Sequence, residues 1–99
     1  MKIKTKQNNK AVKSESNVST LNWATNVYFI GIGGIGMSAL ARYFLAHGKN
    51  IGGYDQRATK LTEELQNLGA FIHFEDVIEQ IPESFSNANE TLIVYSPAI

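Results

Sequence analysis

The feature that most narrows what this chain can fold into is a ten-residue junction in which Val27-Tyr28-Phe29-Ile30 runs straight into Gly31-Ile32-Gly33-Gly34-Ile35-Gly36. A continuous β-branched and aromatic run is the mark of a strand buried on both faces, as in a parallel sheet. After the glycines, Met37, Leu40, Ala41, Phe44 and Leu45 recur at i, i+3, i+4, i+7 and i+8, which puts them on one face of a helix. Strand, glycine turn and helix in that order open a βαβ unit.

The alternation continues. Residues 50–54 read as a second strand, in which Gly52 and Gly53 weaken strand preference but let another backbone come close. Thr59 is placed to cap a second helix with the apolar stripe Leu61, Leu65 and Leu68, ended by Gly69. Phe71-Ile72-His73-Phe74 reads as a third strand. Val77, Ile78 and Ile81 read as a short helical turn before Pro82, and Ser84, Ser86, Asn87 and Asn89 as a polar loop leading to a fourth strand over residues 91–95. This order predicts an α/β fold: a Rossmann-like doubly wound parallel sheet of about four strands, flanked by helices, with the strands side by side as 3-2-1-4. The first and fourth are then neighbours, and their carboxyl ends open on one crevice.

A chain of 99 residues allows one domain of ordinary size. Nine basic residues balance nine acidic ones, which argues against a strongly basic nucleic-acid binder, so no nucleic-acid partner is expected. The charge is uneven: the first twenty residues hold five lysines against Glu15, leaving four basic and eight acidic residues for the rest. Residues 1–26 are rich in Lys, Asn, Ser and Thr without glycine or proline; they are expected to form a flexible leader, with the domain spanning 27–99. Trp23, near the end of that leader, is open to two readings: packed back on the domain, or exposed. The absence of cysteine excludes a disulfide framework, a thiolate zinc site and a cysteine nucleophile. No apolar run approaches the roughly 20 residues of a membrane span, and no secretion signal precedes the domain, so a cytoplasmic location and no membrane partner are expected.

The chemistry points to an anion. A tight turn at Gly31, a backbone bare of side chain at Gly33 and close helix–strand packing at Gly36 let the first N–H groups of the helix face a phosphate, with Gly34 and Ile35 on the same loop and Ser38 offering a further hydroxyl. Asp55 stands 19 positions after Gly36, where an acidic residue commonly reaches the ribose of a bound nucleotide. His47 is expected to cap the end of the first helix or face solvent, and His73 to lie on the strand surface. No residue is assigned a catalytic or metal-binding role. On this evidence alone an NAD(P)-binding domain of an oxidoreductase fits, and so does a non-catalytic nucleotide-sensing module.

The stretch Tyr28-Phe29-Ile30-Gly31-Ile32-Gly33-Gly34-Ile35-Gly36-Met37-Ser38-Ala39-Leu40-Ala41 closely resembles the opening of the Mur ligases of peptidoglycan synthesis, and its Gly-Gly-x-Gly-Met-Ser continuation sets it apart from dehydrogenases. The resemblance continues through Gly53-Tyr54-Asp55, Leu65-Gln66-Asn67-Leu68-Gly69-Ala70 and Val94-Tyr95-Ser96-Pro97-Ala98-Ile99. It implies the N-terminal domain of an ATP-dependent ligase that joins L-alanine to UDP-N-acetylmuramate, truncated before its last strand, with the outer edge of the fourth strand left open. In the full-length enzyme it implies ATP and magnesium; no cofactor is expected in this chain, which has no Gly-x-x-x-x-Gly-Lys-Ser/Thr loop. By the same resemblance Gly33, Gly34, Ile35 and Gly36 approach the UDP diphosphate, Asp55 the uridine side, and Ser96, Pro97, Ala98 and Ile99 line the crevice from the fourth strand. The sequence departs from the family at Tyr54, where many relatives carry serine, and at Asp76, near where many carry histidine and to which no role is assigned.

Overall fold

The computed structural model describes residues 2–5 and 21–96. Five strands, β1 (Lys2–Thr5), β2 (Asn26–Ile30), β3 (Asn50–Tyr54), β4 (Phe71–His73) and β5 (Thr91–Tyr95), form one sheet in the order β1-β5-β2-β3-β4. The last four are parallel, and their order is the 3-2-1-4 arrangement expected from the alternation of strands and helices. Two helices, α1 (Ile35–Ala46) and α2 (Lys60–Asn67), make the crossovers β2–β3 and β3–β4.

Both helices cover one face of the sheet. Val27 and Phe29 of β2, Ile51 of β3, Ile72 of β4, and Leu92 and Val94 of β5 point into a shared core with Met37, Ala41, Phe44 and Leu65 from the helices. Each side chain of this size contributes about 1.5–3 kcal/mol when fully buried. The start of α2 is fixed locally: Thr59 accepts from the Thr62 N–H while the Thr62 hydroxyl accepts from the Thr59 N–H, a reciprocal cap. At the end of α1 His47 is exposed, and its Nδ1 donates to the Tyr43 carbonyl at 2.7 Å, as expected for a capping residue.

The connection from β4 to β5 runs over the opposite face through two short 3-10 turns, Ile78–Gln80 and Glu83–Ser86. The polar loop read from Ser84 to Asn89 thus contains an anchor: Phe85 is buried and meets Tyr28 edge-on, with ring centroids 5.6 Å apart. Helices that cross in one direction and a return crossover on the other face are what right-handed connections require.

The amino-terminal region departs from the expected leader. Lys2–Thr5 pairs antiparallel with β5, Lys2 opposite Tyr95 and Thr5 opposite Leu92, so the outer edge of β5 expected to stay open is occupied by a strand of the same chain. Leu21 and Ala24 are buried in the core, and the Lys49 ammonium donates to the Leu21 and Ala24 carbonyls at 3.2 and 2.5 Å. Leu21 and Ala24 therefore pack with the sheet and α1 ahead of residue 27, and Lys49 supplies the donor that their carbonyls need. Trp23 packs partly buried against the same core, which decides between its two readings. Residues 6–20 of the expected leader lie outside the described residues.

Candidate functional site

Ile30 is level with Tyr54 of β3 on one side and Tyr95 of β5 on the other. The next residue along each strand is Gly31, Asp55 and Ser96, so three separately read segments emerge at one end of the sheet. β2 is also where the connections diverge, one set leaving by α1 toward β3 and the other arriving by the return crossover, which is the place such folds bind ligands.

The loop is pinned before it reaches the helix. Gly31 takes φ +85°, a conformation that L side chains rarely adopt. Its N–H and that of Ile32 both donate to the Tyr54 carbonyl, at 2.8 and 3.1 Å. The Gly34 N–H turns back to the Gly31 carbonyl at 3.1 Å. The Gly33 N–H donates to Asp55 Oδ2 at 2.8 Å, and the Arg57 N–H donates to Asp55 Oδ1 at 3.2 Å. Among the described residues, the N–H groups of Ile35, Gly36 and Met37 have no backbone acceptor. These are the first-turn donors every helix leaves over, and Gly34, the N-cap, has no side chain to satisfy them. The arrangement leaves three N–H groups and the positive end of the α1 dipole facing the crevice.

Three sequence expectations change in detail. Ser38 is buried, and its hydroxyl donates to the Ile35 carbonyl at 3.0 Å; it is spent inside the helix and does not face the crevice. Gly33 is bare for a different reason from the one expected: a Cβ there would lie 2.8 Å from Asp55 Oδ2 and 3.0 Å from Thr62 Cγ2, so the missing side chain makes room for Asp55 first. Gly34 is exposed on the loop, and Ile35, 85% accessible, opens α1; Gly36, expected to pack closely between helix and strand, is instead exposed in the first turn of α1, which starts beyond the end of β2. Ser96 is exposed at the end of β5; Pro97, Ala98 and Ile99 lie outside the described residues.

A buried pair that sequence reasoning missed lies on the face opposite the helices. His73, expected on the strand surface, is only 6% exposed, because Tyr28 of β2 reaches across Gly52 to meet it. His73 Nδ1 faces the Glu75 carbonyl at 2.8 Å and must donate to it, which leaves Nε2 to accept the Tyr28 hydroxyl at 2.5 Å. Burial, with the charges of Asp76 and Tyr54 adding to it, pushes the Tyr28 hydroxyl up to about 12 from its ordinary 10.0. The only signal in the sequence was the smallness of Gly52 between two polar aromatic positions. The His73 carbonyl in turn accepts from the Asp55 N–H at 3.2 Å, tying this pair to the rim of the site.

Residues 26–99 match the family model described as Mur ligase family, catalytic domain. The chain belongs to the Mur ligase family. Among curated Mur ligases it is 57% identical over 79 residues to the UDP-N-acetylmuramate--L-alanine ligase of Parabacteroides distasonis, covering 80% of this chain and 17% of that protein. The ligases of the same name from Phocaeicola vulgatus and Flavobacterium psychrophilum are 53% and 57% identical over the same coverage. The chain thus spans about one sixth of the length of the curated relatives it matches. ATP and magnesium, which the family uses, do not fit the residues present: the sequence has no phosphate-binding Gly-x-x-x-x-Gly-Lys-Ser/Thr loop, and the described residues contain no cluster of three His, Asp or Glu able to hold a metal. No described helix is long and apolar enough to cross a membrane.

Proposed function

We propose that this chain is the part of a cytoplasmic, ATP-dependent Mur ligase that binds UDP-N-acetylmuramate, the substrate to which the complete enzyme joins L-alanine in peptidoglycan synthesis. The observation that carries the reading is the set of first-turn N–H groups of Ile35, Gly36 and Met37, left without a backbone acceptor at the carboxyl end of β2, in a chain whose relatives are named for this substrate. A diphosphate bridging these donors exchanges water for charge-assisted hydrogen bonds, each shorter and stronger than a neutral one. Gly31 and Gly33 shape the turn beneath it, and Gly34 and Gly36 let the anion approach the backbone. The uridine then extends toward Asp55 and Tyr54 at the end of β3, where the tyrosine ring offers a stacking face in place of a small hydroxyl. Ser96 closes the crevice from β5, with Pro97 and Ala98 following it in the chain.

The chain's own residues bind and orient; the phosphorylation of the muramyl carboxylate and the attack of the L-alanine amine fall to parts of the ligase outside this chain. Titration calorimetry with UDP-N-acetylmuramate, UDP and NADH side by side tests the reading. Binding of both uridine compounds, with NADH inert, is expected. Binding of NADH alone would overturn this reading of the site.

A further inference from the structure

Tyr28 and His73 stand on strands that are not neighbours. Adjacent strands lie about 4.8 Å apart, so β2 and β4 are separated by about twice that, with β3 between them. The Tyr28 hydroxyl still reaches His73 Nε2 at 2.5 Å, because the residue beside it on β3 is Gly52, which puts no side chain in the way. From His73 the contacts return to the glycine loop. The His73 carbonyl accepts the Asp55 N–H at 3.2 Å, and Asp55 Oδ2 accepts the N–H of Gly33, three residues past the end of β2, at 2.8 Å. The bonds thus leave β2 at Tyr28, cross to β4, step back over the end of β3 and close on the turn that β2 leads into. β4 is an edge strand of three residues, with little ladder of its own to hold His73 in place.

We propose that Tyr28 and His73 are positioning residues of the crevice: from the face opposite the helices, their hydrogen bond fixes the end of β4 and, through the backbone of Asp55, holds the Gly33 turn in its binding shape. The inference rests on the reading of this crevice as the substrate site. Without the Tyr28 oxygen, His73 Nε2 is buried with no donor, and a short edge strand relieves that cost by letting the ring turn toward water. The His73 carbonyl moves with it, and Asp55 and Gly33 lose their anchor in turn. Phe85 packs edge-on against the Tyr28 ring and steadies the far end of this series of contacts.

Tyr28→Phe is the informative variant, because it removes the oxygen and keeps the ring. Val94→Ala, on the dry face of β5 and outside this series of bonds, controls for a general loss of stability, which does not by itself speed the local opening of a loop amide. Hydrogen exchange of the Gly33 amide and affinity for UDP-N-acetylmuramate are measured on both variants and the unmodified chain. In Tyr28→Phe the Gly33 amide is expected to exchange about tenfold faster and the substrate to bind about fivefold more weakly, a share of the cost of one lost buried hydrogen bond, while Val94→Ala leaves both within about twofold. Unchanged Gly33 exchange in folded Tyr28→Phe would overturn the inference and leave the reading of the crevice standing; so would loosened exchange with unchanged affinity. Failure of the unmodified chain to bind the substrate would overturn the reading of the crevice, and the positioning role with it. Should Tyr28→Phe not fold, the coupling is read in reverse, since it is reciprocal. Saturation of the unmodified chain with UDP-N-acetylmuramate is expected to move the His73 Nε2 resonance, and no movement at saturation would contradict the proposal.

Discussion

The two faces of the sheet are built on opposite principles. The face under α1 and α2 is dry: Val27, Phe29, Ile51, Leu92 and Val94 meet Phe44 and Leu65 with essentially no exposure. The other face is held by a few oriented contacts, the Tyr28 hydroxyl on His73, the His73 ring on the Glu75 carbonyl and the Phe85 ring over Gly52. Apolar packing tolerates any pH and is sensitive to volume; hydrogen-bonded aromatic contacts are sensitive to the loss of a single atom. The first face gives the glycine loop a rigid base, and the second fixes the ends of β3 and β4 that carry Asp55.

The sharpest break of this contrast is Phe29→Ala, which empties the centre of the dry face and should cost about 3–5 kcal/mol in urea unfolding. Paired glycines come next. A Cβ on Gly53 meets the Phe29 carbonyl at 2.7 Å, backbone that cannot yield, whereas a Cβ on Gly52 meets the Phe85 ring at 2.7 Å, a side chain on a short turn. Gly53→Ala should therefore cost more than Gly52→Ala, both within about 1–3 kcal/mol by the usual scale of overpacking. Equal costs would mean that the two faces are equally stiff.

Tyr28→Phe leaves His73 Nε2 buried without its donor and should cost about 1–3 kcal/mol at neutral pH. It should also change the alkaline limb. The folded protein holds the neutral hydroxyl above its ordinary 10.0, so this stabilisation is complete below pH 10 and is lost as the pH rises toward about 12. Unfolding followed against pH should decline over that window in the unmodified chain and more shallowly in Tyr28→Phe. Smallest of all is Arg42→Ala: its ion pair with Glu64 joins α1 to α2 across exposed surface, and its loss should shift stability by about 1 kcal/mol or less, vanishing in high salt.

The contrast also explains what could be read from the chain alone. The strand-turn-helix junction at Ile30–Ile35 was legible because periodicity and three glycines encode it locally, and the parallel strand order followed from handedness. The place of Asp55 just past the end of β3 was legible from its distance along the chain, but its hold on the Gly33 N–H was not, because that contact spans 22 positions and depends on the level register of β2 with β3. Ser38 misled because helix geometry, not composition, turns its hydroxyl onto the Ile35 carbonyl. His73 and Phe85 were hidden because a face covered by an irregular crossover has no period to read. The pairing of Lys2–Thr5 with β5 was hidden for a related reason: four residues of backbone pairing leave almost no pattern in side chains.

The central claim is that the amino-terminal turn of α1 holds the diphosphate of a UDP-sugar, and an amide NMR titration of the chain with UDP-N-acetylmuramate tests it most directly. The largest shifts are expected at Ile35, Gly36 and Met37, with further shifts at Asp55 and Ser96, reproduced in part by UDP and absent with NADH. Saturable binding whose shifts avoid the glycine loop and gather elsewhere on the domain would contradict it.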